Sequence, residues 1–389
     1  MGLTLYYGWV LTPTEAIERG AVVVDDDGRI AYVGPMEDAP RAEGLHLDLR
    51  GRRVAPGFID VHVHGGKGVT FGIPGQVAED VRAYSEWVAS TGVTGFLCSL
   101  AAPDAEMLVQ VVKECANALE AGMSGAEALG IHLEGPFLNK AKKGAFNATW
   151  LRPPALDEAE AVLQAGRGWI RQMTVAPELP GAQEVAARFR AAGVVVSLGH
   201  SDSDYDAASA ALRGNFTHVT HTFNAQRGFS QREPGVFGAV LASDDVTAEL
   251  IADTVHVHPG AMKVLVRCLG TDRVVLITDA IPAAGLADGS YDLVGNEVVV
   301  KDGCATLLDG TIAGSTAGLN ECVRHMNQEV GVALPKAVQM ASLNPARAMG
   351  FAGRLGSIAV GKDASLVVID EDVNVYLAMV KGKVVYCRL

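Results

Sequence analysis

Six side chains able to hold a metal ion or move a proton stand at the ends of apolar runs: His62 and His64 in Gly57-Phe-Ile-Asp-Val-His-Val-His-Gly65, then Glu134, His200, His221 and Asp279. Side chains alternate along a strand, so His62 and His64, two residues apart, share a face and aim their imidazoles the same way. A single pair of this kind is common in cores and on surfaces. Repetition of an apolar run closed by a ligand-type residue points instead to a metal centre. Imidazole and carboxylate together suit zinc, iron, manganese or cobalt better than calcium or magnesium. A divalent ion with an open position acidifies bound water toward neutral pH, which makes hydrolysis of an unactivated bond feasible. Asp279 is then the natural proton carrier, able to take a proton during attack and return it to a leaving nitrogen. The competing reading of Asp279 is a helix N-cap after the last strand.

Such groups need a scaffold that brings them to one place. Apolar strand candidates at 57–64, 93–100, 128–134, 172–178, 194–200, 217–221, 248–253 and 273–279 alternate with helical stretches such as 77–88 and 182–192. This alternation predicts an α/β fold, a (β/α)8 TIM-like barrel, whose chemistry gathers at the C-terminal ends of its strands. His62 and His64 close the first strand, Glu134 the third, His200 the fifth, His221 the sixth and Asp279 the eighth. The short sixth strand and the polar end of the seventh leave a seven-stranded or distorted barrel as the alternative. Residues 1–55 and 354–389 carry short strands, including a hairpin about Asp27-Gly28, and predict a small β-sandwich domain built from both termini beside a catalytic barrel of 56–353. His132 is expected to point inward one layer below Glu134, as a satisfied core histidine. His218, an odd number of residues from His221, is expected to face the helices, and His258 to start a helix at Pro259.

Composition narrows the function class. With 389 residues, 49% hydrophobic and 20% charged, the chain can bury a large core and lacks the signature of disorder. A net charge of -13 disfavours nucleic acid and anionic membrane as partners but permits a local cationic pocket. The six cysteines form no C-x-x-C pair, as expected for free thiols in a reducing cytoplasm, and neither a signal peptide nor a membrane span is apparent.

The motifs together resemble the N-acetylglucosamine-6-phosphate deacetylase family of the amidohydrolase superfamily. They are Pro56-Gly-Phe-Ile-Asp-Val-His-Val-His64, His132-Leu-Glu-Gly-Pro-Phe137, Gly199-His-Ser201, Thr220-His-Thr-Phe-Asn-Ala225, Arg232-Glu-Pro234, Asp253-Thr-Val-His256 and Thr278-Asp-Ala280, in order along nearly the whole chain. By that resemblance Glu134, His200 and His221 bind the principal metal, His62 and His64 a second bridged by Glu134, and Asp279 is the acid and base. One or two divalent ions per subunit are implied. Asn224, Ala225 and Arg232 fall where the family grips the sugar phosphate, with His256 nearby. Ala145 and the Ile312-Ala313-Gly314 loop also fall on substrate-contacting positions, although a plain glycine-rich turn would explain the loop as well. A guanidinium binds phosphate through two parallel hydrogen bonds, which singles out Arg232; a surface ion pair with Glu233 is its competing reading.

The implied activity is hydrolysis of the N-acetyl group of a 6-phosphorylated amino sugar, releasing acetate, in amino-sugar catabolism, by a cytoplasmic homodimer in which a phosphate contact such as His256 crosses between subunits. A galactosamine phosphate is the close alternative substrate. A metal-dependent deaminase or cyclic amidase is the distant one, and a metal-binding scaffold without catalysis the non-enzymatic one. One departure stands out: after Lys142-Lys143-Gly144-Ala145 the family commonly places a histidine, and this chain has Phe146.

Overall fold

The computed structural model describes residues 2–12, 15–40, 44–293 and 295–389. Among these, eight parallel strands lie side by side in one sheet: β1 (Phe58–Val63), β2 (Val93–Leu100), β3 (Glu127–Glu134), β4 (Ile170–Val175), β5 (Val195–Leu198), β6 (His218–Val219), β7 (Thr247–Ile251) and β8 (Val274–Ile277). Each predicted strand is found, and β6 is reduced to two residues without leaving the sheet. The ends of the sheet meet, because Asp279 N–H donates to the His62 carbonyl at 2.9 Å and His64 N–H to the Ala280 carbonyl at 2.8 Å. Asp60, fully buried on β1, fastens the same seam by accepting from the Thr278 hydroxyl at 2.6 Å. The result is the (β/α)8 barrel.

The strands are buried on nearly every residue because both faces are covered, as parallel sheets require. Outside, helices such as α1 (Val77–Val88) and α2 (Ala105–Ala121) lay Val81, Tyr84, Val111 and Leu119 into one continuous core with Phe96 and Val175. Inside and below the mouth the filling is polar. His132 bridges the Ser99 and Thr174 hydroxyls at 2.9 and 2.8 Å, and Thr174 continues to Thr220 and Ser197. His132 is thus the satisfied core histidine expected of it. His258 caps its helix as expected, accepting from Gly260 N–H ahead of Pro259–Leu269.

The two termini build a second sheet of eight strands, in which Lys383–Cys387, Val375–Val380, Leu366–Ile369 and Arg53–Pro56 continue into Gly2–Leu11, Ala16–Val24 and Ile30–Pro35. Its strands share a core of Leu5, Val22, Ile30, Val54, Leu366 and Met379. Glu127, at the start of β3 and so at the end of the barrel opposite the mouth, ties it down. Its carboxylate accepts from Arg354 at 2.9 and 3.0 Å and from Lys381 at 2.8 Å. One element has no counterpart in the sequence reading. After β8 the chain makes a three-stranded antiparallel sheet, Gly289–Leu293, Asn296–Lys301 and Cys304–Leu307, which reaches over the mouth.

Candidate active site

The barrel mouth opens into a cavity of about 330 Å³. His64, Glu134, His200, His221 and Asp279 line it, and His62, with no exposed surface, lies just beneath. His62, His64 and Glu134 sit at the ends of β1 and β3, where strand geometry aims them. His200, His221 and Asp279 instead lie two residues beyond β5, β6 and β8, and all three have left-handed backbone, with φ of 47°, 28° and 51°. For a side chain larger than glycine this conformation costs on the order of 1–3 kcal/mol, and such strain clusters at functional sites.

The ligand atoms fall into two groups, His62 with His64 and Asp279, and Glu134 with His200 and His221. Glu134 touches both. Its Oε1 lies 3.1 Å from His200 Nε2, 3.0 Å from His221 Nε2 and 3.3 Å from His62 Nε2, and its Oε2 is 3.0 Å from His64 Nε2. Asp279 Oδ1 is 3.4 Å from the Nε2 atoms of His62 and His64.

The donor set itself tests whether a cation fits. His200 Nδ1 faces the Lys142 carbonyl at 2.8 Å, so it carries a hydrogen, and in that tautomer Nε2 turns a lone pair toward Glu134 and toward His221 Nε2 at 3.0 Å. His62 Nδ1 faces Glu249 at 2.9 Å, so its Nε2 lone pair likewise meets carboxylate, and that atom has no hydrogen-bond partner. Lone pairs converging on lone pairs are stable only with positive charge between them. Without a metal His62 and His64 take it up as protons. Burial opposes charge on His64, yet hydrogen bonds and charge from Asp279 and Glu134 lift its pKa to about 9. Burial pushes the Glu134 carboxyl up, but the charge of His62 and hydrogen bonds from the imidazoles hold it well below the usual carboxylate range. The residues therefore fit divalent metal.

Around this centre Ala145, Asn224, Ala225, His256, Ile312 and Gly314 line the cavity. Ala313 does not; it is buried with Ile281 and Val298 under the three-stranded sheet. Gly314 has φ of 63°, and a Cβ there would sit 2.3 Å from Ile281 Cγ2 and 2.9 Å from the Asp279 carbonyl. That close approach lets Ser315 N–H bond the Asp279 carbonyl at 2.9 Å and fix the loop that carries the carboxylate. No helix starts at Asp279, which removes its reading as an N-cap.

His256 Nδ1 lies 2.7 Å from Asp253 Oδ2, and burial, which would neutralise the ring, is outweighed by that partner, so its pKa is raised. His256 belongs to the cavity of its own chain and needs no partner to reach it. Arg232 is exposed and does not line the cavity. Glu233 accepts from Tyr205 and Gly235 N–H, and no ion pair with Arg232 is formed. Phe146 lines the cavity and sets its ring edge-on to His200 with centroids 5.3 Å apart, closing the site with an apolar wall.

Three features escaped the sequence reading. His218 points into the barrel, bonding Glu249 at 3.1 Å, because β6 ends at Val219 and the left-handed turn at His221 breaks the parity that would have sent His218 outward. Glu249 itself is a buried carboxylate on β7, signalled only as a charge inside an apolar run. Glu178 gathers the hydroxyls of Ser201 and Ser203, Asp202 N–H and the Asn139 amide, and so braces the loop after His200.

Residues 53–385 match the Amidohydrolase family. An N-acetylglucosamine-6-phosphate deacetylase of Bacillus subtilis (strain 168) is 35% identical over 383 residues, covering 97% of this chain and 95% of the relative. An N-acetylgalactosamine-6-phosphate deacetylase of Escherichia coli O157:H7 is 35% identical over 357 residues, 92% of each. The solved structure of a mutant N-acetyl-D-glucosamine-6-phosphate deacetylase from Mycobacterium smegmatis, in complex with N-acetyl-D-glucosamine-6-phosphate, superposes with a TM-score of 0.90 at 36% identity over 99% of both chains.

Proposed function

The chain belongs to the amidohydrolase family, and on that premise we propose that it hydrolyses the N-acetyl group of N-acetylglucosamine-6-phosphate to glucosamine-6-phosphate and acetate. The observation that carries this reading is the convergence of four imidazoles and two carboxylates, Glu134 and Asp279, on one cavity that also holds the raised-pKa His256.

Glu134, His200 and His221 would hold one divalent ion and His62, His64 and Asp279 would surround a second, with Glu134 reaching both; zinc, iron, manganese or cobalt suit this set. When bound, such an ion supplies an acidified water and polarises the acetyl carbonyl. Asp279 Oδ1 takes the proton of the attacking water and delivers it to the departing amide nitrogen. His256, its Nδ1–H held by Asp253, presents Nε2 to the phosphate, and Asn224, anchored to the His221 carbonyl at 3.3 Å, orients the sugar. Phe146 presents an apolar ring to the cavity and donates no hydrogen bond, so a cation held by the ligand cluster would have to supply that polarisation. Arg232 stays in the proposal as a second phosphate contact, to be reached through the partner of a cytoplasmic homodimer or by movement of its own loop.

The test is acetate release from N-acetylglucosamine-6-phosphate beside N-acetylgalactosamine-6-phosphate and unphosphorylated N-acetylglucosamine. Preferred turnover of the glucosamine phosphate is expected. Preference for the galactosamine phosphate would transfer the assignment to the epimer, and equal turnover of the free sugar would remove His256 and Arg232 from the site.

A further inference from the structure

Glu249 is the buried acid that the mechanism above leaves unused. It stands on β7 with no exposed surface, directly beneath the metal-ligand cluster, and both carboxylate oxygens are fully engaged. Oε2 lies 2.9 Å from His62 Nδ1 and accepts His221 N–H at 3.0 Å. Oε1 accepts the Gln172 amide at 2.7 Å and lies 3.1 Å from His218 Nε2. None of these partners is a lysine or arginine. A carboxylate this deep costs several kcal/mol unless a positive charge answers it. Beyond the two imidazoles in direct contact, His62 and His218, a place for one lies across the His62 ring, where Nε2 faces Glu134 and Asp279.

A carboxylate behind an imidazole fixes which nitrogen carries the hydrogen, holds the ring plane and raises the basicity of the other nitrogen. His62 differs in this from His200, which rests its Nδ1 on a carbonyl, and from His221, whose Nδ1 has no partner. The contact of Glu249 with His221 is to the backbone N–H, and the imidazole of that residue faces Glu134 and His200 instead.

We propose that Glu249 is the positioning residue that makes His62 a ligand, and that it governs occupancy of the second cation position. The inference rests on the two-ion reading given above. It is tested by metal content per chain after dialysis, and by dissociation constants from chelator competition, for wild type, Glu249→Leu and Glu249→Gln, each with its melting temperature. In Glu249→Leu the weaker ion is expected to bind about 10–100-fold less tightly, the usual cost of losing such a partner, with the tighter ion retained. Glu249→Gln keeps an oxygen for His62, and the Gln172 amide, whose Oε1 is unpartnered, can turn over to meet the new NH2. A loss near the lower end of that range, ~10-fold, is expected there, and this variant suffices alone if the leucine variant does not fold. Two ions bound with wild-type affinity in the glutamine variant, or both ions lost together, would overturn the role. A wild type that holds a single ion would instead refute the two-ion reading, and this inference with it.

Discussion

Asp279 is the residue on which the proposed chemistry turns, and its surroundings fix its charge state. Burial pushes its carboxyl up, while the charge of His62 and the hydrogen bond to His64 hold it below the ordinary value, so it is an acceptor before the reaction starts. Asp279→Asn keeps the shape and removes the base; kcat is expected to fall by about 10²–10⁴-fold, with the ion held by Glu134, His200 and His221 retained by elemental analysis. In the same proposal His256 acts on binding. A charged hydrogen bond is worth about 1.5–3 kcal/mol, so His256→Gln is expected to raise KM for the phosphorylated sugar about 10–100-fold, leaving kcat within a few-fold. Steady-state kinetics on phosphorylated and free sugar separate this from a general loss of fold, because only the former should move. At this scale the sequence was informative where side chains follow strand periodicity, as at His62, His64 and Glu134. It was silent on Glu249 and wrong about His218, since both depend on where β6 stops and on how neighbouring strands bring their inner residues together. Arg232 shows the converse: a motif places the residue in sequence, while its exposure outside the cavity appears only in three dimensions.

The strands supply direction and the loops supply the last adjustment. Every left-handed ligand residue follows a strand, so the loop backbone completes what the barrel begins. Gly314 supports one of these turns. A methyl group there would meet Ile281 and the Asp279 carbonyl in a conformation that itself costs roughly 1–2 kcal/mol. Gly314→Ala is therefore expected to lower both the melting temperature and kcat, as calorimetry and acetate release would read. The strand periods were legible in the sequence to within a few residues. The three-stranded sheet of 289–307 was not, because its strands are short and half-exposed and lack the uniform apolar run of a buried strand.

The whole molecule is a barrel clasped to a sheet that both chain ends build. Glu127 is the pin of that clasp: burial raises its carboxyl, and hydrogen bonds from Arg354 and Lys381 more than offset this, so its pKa is lowered. A lowered folded pKa means that the contribution is complete above the unfolded carboxylate range and is lost as pH falls through the folded value. Because these side chains are partly exposed, Glu127→Gln is expected to cost only about 1 kcal/mol at neutral pH. Denaturant melts of both proteins should converge as pH drops below about 4; a gap that persists in acid would show that Glu127 acts through packing. At the other end of the barrel, carboxylates and imidazole lone pairs are aimed at common points that a cation would satisfy, and the substrate cavity lies directly above them. The most direct test is to strip the protein with chelator, titrate back zinc, manganese, iron or cobalt, and follow acetate release from N-acetylglucosamine-6-phosphate against metal bound per chain. No turnover in the stripped protein and recovery in step with metal binding is the predicted result. Undiminished turnover after stripping, or a metal-loaded protein that releases no acetate, would contradict the account.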